Sequence, residues 1–493
     1  MFIRVIRAFF VLLLTPKSYP IVKKNFLLLA TFICCLSATS QTSNNEPIEI
    51  TQAFEEAKKI EKSIKLTSFP ARLYNIVDFG AKADSPEEPC HEAINEAILR
   101  CNQDGGGTVL IPKGTFYTGP ITLKSNVNLH IEKGAVLKFD TDQSLYFPPV
   151  ITRWEGLDCY NAHPLIYAYG ETNIAITGKG IMDAQGDADH WWYMANGRYK
   201  IDNGKPTQAD GGRRRMLALG ERGAPMHERI FTPEEAMRPQ FVNLYRCTRV
   251  LIEDVTFLNS PFWTLHPLMC ESLIVRGVTI ENDGPNGDGC DPESCKNVLI
   301  ENCIFNTGDD CIAIKSGRNN DGRKWNIPSE NIIVRGCTMK NGHGGVVIGS
   351  EISGGYKGLY VEDCYMDSPN LDRVIRIKTS TCRGGTIEDI FVRNIKVGVC
   401  REAVLRINLK YESREECERG YIPTVRNVWM NNVTSGGSKY GVLLIGLDDS
   451  ENIYDINVSN CQFNGVTHAG ENITGLTHNI NIKDCTVKMA KKR

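Results

Sequence analysis

The run "NVLIENCIFNTGDDCIAIKSG", Asn297 to Gly317, decides how this chain folds. It opens with two short β-rich segments around a small kink, and the neighbouring sequence repeats that arrangement. "RVLIEDVTFLN" (Arg249–Asn259), "SLIVRGVTIEN" (Ser272–Asn282), "NIIVRGCTMKNG" (Asn331–Gly342) and "GLYVEDCYMDS" (Gly358–Ser368) are variants of one unit. Other copies extend from about Asn126 to the C-terminus. Apolar and polar residues alternate, Val, Ile and Thr are frequent, and Asn or Gly stand at the corners. The spacing is irregular, mostly in the twenties to low thirties. Such a period, without any 3.6-residue apolar pattern, excludes helical repeats and predicts a stacked solenoid. The expected fold is all-β, a right-handed parallel β-helix whose coils stack about 4.8 Å apart.

A solenoid needs covered ends. Ile50–Leu66 and His91–Gly107 read as amphipathic helices, the second stopped by glycines, and one of them is expected to cap the N-terminal edge. Residues 186–240 interrupt the repeat with a stretch rich in Arg, Gly and aromatics, and loops of that length are usually functional or disordered. The N-terminus has the features of an export signal: Lys23 and Lys24, an apolar run Phe26–Leu36, then small residues up to Ser40. The expected organisation is a signal peptide at 1–40, a helical extension at 41–73 and a β-helix domain at 74–493. The mature protein is expected in the periplasm or outside the cell.

The 493 residues carry a formal net charge of -2, which argues for neither nucleic acid nor an anionic membrane as partner. No segment beyond the N-terminus is long and apolar enough to span a bilayer. A monomer is expected by default. Of the 18 cysteines, Cys303, Cys337, Cys364, Cys461 and Cys485 recur at one place in the repeat. That predicts an interior stack of free thiols, which behave as small hydrophobes, with one or two disulfides elsewhere.

Four motifs fall on successive coils. "NGDG" carries Asn286 and Asp288, "GDD" carries Asp309 and Asp310, "NGHGG" carries His343, and "RVIRIKT" carries Arg376 and Lys378. Each alone is an ordinary turn or a solvated face. The steps from Asp288 to Asp310 (22 residues), Asp310 to His343 (33) and His343 to Arg376 (33) are each about one coil, so the groups should converge on one face. Crowded carboxylates separate in pKa and can supply both an acid and a base, as cleavage of a glycosidic bond requires. Arg376 and Lys378, on the same side of a strand, suit a ligand bearing a carboxylate, such as a sugar acid.

The stretch from about Asn75 to Lys410 resembles glycoside hydrolase family 28, the polygalacturonase family. The likeness rests on "NGDG", "GDDCIAIKSG", "GHG" and "RIK", on the entry "NIVDFGAKAD…GGGTVLIPKGTFYTGPITLKSNVNLHIEKGA", and on "RPQFVNLYRC" and "NSPFWTLHP". It implies a parallel β-helix and inverting hydrolysis with neither metal nor cofactor. It implies Asp309 as general acid, Asp288 and Asp310 as the pair that activates water, and His343 as support for the acid. Arg376 and Lys378 are the implied contacts to the substrate carboxylate, with Asn286 placed beside them as a substrate-binding residue. Two features depart from the family pattern: Gly287 stands where Asn-Thr-Asp is more usual, and "ESREECERGY" matches no known substrate-binding loop.

The stretch before the interruption, "FPPVITRWEGLDCYNAHPLIYAYG", resembles the exo-acting bacterial branch. Residues 186–240 could then wall off the groove, with Arg213, Arg214, Arg215, Arg222 and Arg229 holding further uronates. The expected activity is exo-hydrolysis of α-1,4-linked galacturonic acid from pectic polysaccharide or oligogalacturonides. An endo-polygalacturonase, release of galacturonate from rhamnogalacturonan, a calcium-dependent pectate lyase and a non-catalytic carbohydrate-binding solenoid are the alternatives left open.

Overall fold

A computed structural model describes residues 46–195, 199, 204–411, 415–468 and 472–491; the expected signal peptide lies outside them. The chain is a right-handed parallel β-helix. One run of strands stacks in parallel register through Thr248–Glu253, Glu271–Arg276, Lys296–Glu301, Ser329–Arg335 and Tyr356–Glu362. A second run follows each of these across the kink. A third carries Val346–Ile348, Arg373–Lys378 and Ala403–Asn408.

The register explains why the repeat tolerates varied spacing. Val250, Leu273, Val298, Ile332 and Leu359 lie level on successive coils, as do Ile252, Val275, Ile300, Val334 and Val361. All are buried in one continuous aliphatic core. The kink residues Asp254, Gly277, Asn302, Gly336 and Asp363 all have φ between 54° and 63°. Only Gly, or an Asn or Asp that can bond locally, visits that region cheaply, so the corner chemistry repeats even where coil length does not. The residue after each kink turns inward. Cys303, Cys337 and Cys364 stack there as buried free thiols, as expected; Cys461 is also buried and free, and Cys485 is free but half-buried. Among the described residues one disulfide forms, Cys382–Cys417.

Two helices lie near the N-terminus. Helix α2 (His91–Gln103) packs over the first coils with Ile94, Ala97, Ile98 and Cys101 buried, as a cap should. Helix α1 (Ile48–Ser63) does something else. The middle residues of the three-residue apolar runs, Ile274, Leu299, Ile333 and Tyr360, face outward from the first run of strands. Ile50, Phe54, Ile60 and Ile64 cover them. Each buried side chain of that size stabilises by roughly 1.5–3 kcal/mol, so packing holds α1 along the side of the solenoid. Among the described residues no helix is long and apolar enough to cross a membrane.

Candidate active site

Backbone pairing aligns Leu265, Cys290, Ile312, Val346 and Ile375 as one rung across five coils. Asp288 and Asp310 each stand two residues before it, so they lie directly above one another, with Gly289 N donating to Asp310 O at 3.0 Å. His343 is level with Asp309 rather than Asp310, its backbone N donating to Asp309 O at 3.1 Å. Arg376 and Lys378 fall one and three positions past the rung. Spacing alone misplaced them, because a residue count includes the loops between coils. Their long side chains make up the offset. Arg376 Nη1 donates to Asp310 Oδ1 at 3.0 Å and Lys378 Nζ to Asp310 Oδ2 at 2.8 Å.

The three aspartates meet. One oxygen from each of Asp288, Asp309 and Asp310 lies within 4.8 Å of the others. Their surroundings differ. Asp310 is fully buried, and burial would favour its neutral form; Lys378 and Arg376 outweigh that and hold it well below the usual carboxylate range. Asp288 is also buried, and burial, then Asp291 and Asp309, push it well above that range. Asp309 is partly open and its Oδ1 lies 3.0 Å from Nδ1 of the half-exposed His343. That hydrogen bond raises the His343 pKa. The oxygens of Asp310 are occupied by protein cations and Lys315 Nζ is 3.9 Å from Asp288, so the cluster already has its counter-charges.

Three groups around this cluster escaped the sequence reading. Asp291 is wholly buried with neither carboxylate oxygen hydrogen-bonded among the described residues. Lys315 is buried between Asp288 and Glu351, its Nζ 4.4 Å from the Trp263 ring centre. Alternation along "CIAIK" could have signalled it, since Ile312 and Ile314 face the core and Lys315 does not. Tyr411 backs both Arg376 and Lys378, its ring centre 5.5 Å and 5.2 Å away.

Arg376 and Lys378 were expected to face substrate; here both are buried and spend their strongest contacts on Asp310. Asn286 turns its side-chain oxygen away as well, accepting from the buried Arg238 at 2.7 Å. The departure at Gly287 has a steric reason. A Cβ there would sit 2.5 Å from Gly284 O and 2.9 Å from Asn282 Nδ2. At Gly308, beside the paired aspartates, it would again meet Gly284 O at 2.5 Å.

The described part of the interruption folds as short 3-10 turns around helix α3 (Gly212–Glu221). Most of its arginines serve the protein itself. Arg213 pairs with Glu155, Arg215 with Glu235, Arg222 with Glu228, and the buried Arg229 with Asp321. Exposed Arg214 pairs with no carboxylate among the described residues and lines a cleft of about 690 Å³. Across that cleft lie Glu415, Glu416 and Cys417, from the loop that the sequence could not place. The Cys382 disulfide holds this loop, as do Arg318 and Arg383 on Glu415 and Glu221 of α3, which accepts from Glu418 N. Arg318, also in the lining, reaches the aspartates through Glu351 and Lys315. A second cleft, about 360 Å³, opens on the His343 side, between Asp283, Gly308, Asn370 and Arg401.

Residues 230–486 match the family model of glycosyl hydrolases family 28. The chain belongs to that family. It is a glycoside hydrolase, and the motifs that bring the aspartates together all lie inside the matched segment. Among solved structures, a hyperthermoactive exopolygalacturonase from Thermotoga maritima is 40% identical, with a TM-score of 0.80 over 84% of this chain and 92% of that one. Among curated proteins, an exo-poly-alpha-D-galacturonosidase of Dickeya chrysanthemi is 26% identical over 429 residues, 81% of this chain and 69% of that protein. A probable polygalacturonase of Vitis vinifera is 29% identical over 350 residues, 68% of this chain and 63% of the relative's length.

Proposed function

We propose that this family 28 hydrolase is exo-acting and removes α-1,4-linked galacturonic acid from the end of pectic polysaccharide or oligogalacturonides. The observation that carries the reading is the meeting of Asp288, Asp309 and Asp310, next to the cleft lined by Thr307, Gly308 and His343. The 40% identity to an exopolygalacturonase over most of the chain favours exo action. Export through residues 1–40 brings the enzyme to a substrate found outside the cell.

The chemistry follows from the three environments. Asp309, partly open and bonded to His343, gives its proton to the glycosidic oxygen as the bond from that oxygen to the anomeric carbon breaks. A water held by Asp288 and Asp310 adds to the anomeric carbon and loses a proton. Asp310, pinned by two cations, is a poor acceptor; Asp288, which binds protons more tightly, takes it. Asp309 ends one proton short and Asp288 one proton richer, and exchange with solvent resets both. Arg376 and Lys378 each hold Asp310 through one nitrogen, and their remaining N–H donors are the candidates for the uronate carboxylate.

Product analysis on trigalacturonate and polygalacturonate, with and without a chelator, tests this. Free galacturonate from the first minutes, unaffected by chelator, is the expected result. Mixed oligomers would mean an endo enzyme, and an unsaturated product lost with chelator would mean a lyase. The oxygens lie closer than the roughly 6.5–9.5 Å usual between the two carboxyls of inverting glycosidases. Inversion is therefore read separately, from the anomer that appears first in the proton NMR spectrum.

A further inference from the structure

Lys315 is the cation at the catalytic cluster to which the mechanism above gives no task. Its burial makes it expensive: an ammonium with 2% of its surface exposed needs compensation. Compensation comes from two directions. Glu351 Oε2 lies 3.3 Å from Nζ, and Asp288 Oδ2 lies 3.9 Å from it. The Trp263 face closes a further side without offering a proton acceptor of comparable strength.

The arrangement is asymmetric. Glu351 does not belong to Lys315 alone, because Arg318 Nη1 stands 3.5 Å from its other oxygen and Ser350 Oγ donates to that oxygen at 2.9 Å. Part of the Glu351 charge is drawn away, and that leaves the ammonium available to Asp288. On the other flank, Arg376 and Lys378 are both committed to Asp310. Asp288 therefore faces Asp291, Asp309 and Asp310 as like charges, Arg238 as a more distant cation, and Lys315 as its near counter-ion. Lys315 in turn faces Glu351, Asp291, Asp288 and Asp310, with His266 and Lys378 further off. A buried carboxylate among three others has every reason to hold a proton. A base that arrives already protonated cannot take one from water.

We propose that Lys315 is a positioning residue for hydrolysis: its ammonium, 3.9 Å from Asp288, opposes the carboxylates that favour a proton there and holds Asp288 in place to accept the proton of the attacking water. The assignment rests on Asp288 acting as the base. Lys315 touches no substrate in this scheme, so its loss acts through Asp288 and appears in turnover and its pH dependence.

The test is the pH profile of kcat/KM on trigalacturonate for wild type, Lys315→Met, Lys315→Arg, Glu351→Gln and Asp288→Asn. Removing the cation raises the proton affinity of Asp288, so the acid limb of Lys315→Met moves to higher pH, by roughly one unit or more. Its kcat at the wild-type optimum falls while KM changes little. Lys315→Arg restores part of the limb. Glu351→Gln removes the competing anion, leaves Lys315 more fully to Asp288, and moves the limb to lower pH. Opposite shifts in the two variants are a signature that a merely structural role does not produce. If Lys315→Met does not fold, the Glu351→Gln shift still decides the matter. An unmoved limb in the folded variants overturns the proposal, as does a raised KM with unchanged kcat, which would make Lys315 a substrate contact. Asp288→Asn separates the two readings. Activity retained there removes Asp288 as the base, whereas activity lost there with unmoved Lys315 and Glu351 limbs removes only the role of Lys315.

Discussion

Two ladders of charge run along these coils, made of the same residue types and put to different uses. On the first run of strands Glu253, Arg276, Glu301, Arg335, Glu362 and Arg393 follow one another coil by coil. Their signs alternate, so each group pairs with at least one neighbour along the ladder, and Arg276 and Glu301 pair on both sides. The catalytic ladder puts like charges together instead: Asp288 and Asp310 on adjacent coils, with Asp309 and Asp291 beside them, and cations brought in from neighbouring strands. Alternation in a partly exposed place cancels charge between neighbours. Grouping in a buried place drives affinities apart, Asp310 down and Asp288 up, and that is the state acid–base chemistry needs. The lesson is that burial and sign order, more than the number of charges, distinguish a structural ladder from a reactive one.

The largest effect that would sharpen this comparison is expected at Asp309. Asp309→Asn keeps the shape and the contact to His343 but has no acidic proton, and positioned proton transfer is worth roughly 10²–10⁴ in rate. Turnover of trigalacturonate should fall by about that factor with little change in KM. Activity within about tenfold of wild type would take the acid role away from Asp309.

Lys378→Met comes next, because it strips one of two cations from a buried carboxylate. Breaking a buried pair costs about 3–5 kcal/mol when nothing replaces it; Arg376 stays, so the lower end is expected. The sign with pH is fixed. The folded-state pKa of Asp310 lies below its unfolded value near 3.9, so its stabilisation is complete above about pH 4 and is lost as pH falls further. The gap in melting temperature between wild type and Lys378→Met should therefore be widest above pH 4 and narrow below it. A gap independent of pH would mean that Lys378 stabilises by packing on Tyr411 instead.

The solenoid and the aspartate motifs were legible because each repeats or clusters in sequence. Val, Ile and Cys mark the inner ladders, and the "GDD" and "NGDG" turns carry the carboxylates. Other features were hidden for identifiable reasons. "VLI", "LIV" and "IIV" contain three apolar residues in a row, and the middle one faces outward; an alternating strand does not need α1 to cover it, but this one does. Lys315 was hidden because a single Lys at a strand end is ordinarily solvated, and only residues distant in sequence, Glu351, Asp288 and Trp263, enclose it. The substrate-side arginines were overcounted because a basic loop gives no sign of the carboxylates it will meet. Glu155, Asp321 and Glu235 lie far from their partners in sequence or on other turns. The loop around Cys417 made sense only once Cys382 and α3 stood beside it.

The smallest effect is the one most able to break the comparison. Arg335 makes the best contacts of the outer ladder, a two-pronged pair with Glu61 at 2.8 Å and 2.7 Å and a second with Glu301. Read by geometry alone, it should matter as much as Lys378. Its side chain is 30% exposed, however, and that of Glu61 33%, so water competes for the bonds between them. Exposed pairs are worth about 0–1 kcal/mol, and the network with α1 places this one near the upper end. Arg335→Ala should lower stability by about 1 kcal/mol or less, with most of that loss suppressed by added salt, and should leave kcat unchanged. If urea unfolding instead shows a loss matching that of Lys378→Met, and salt does not reduce it, then burial is not what separates the two ladders. The anchoring of α1 by Arg335, and not the charge order, would then carry the explanation for the outer one.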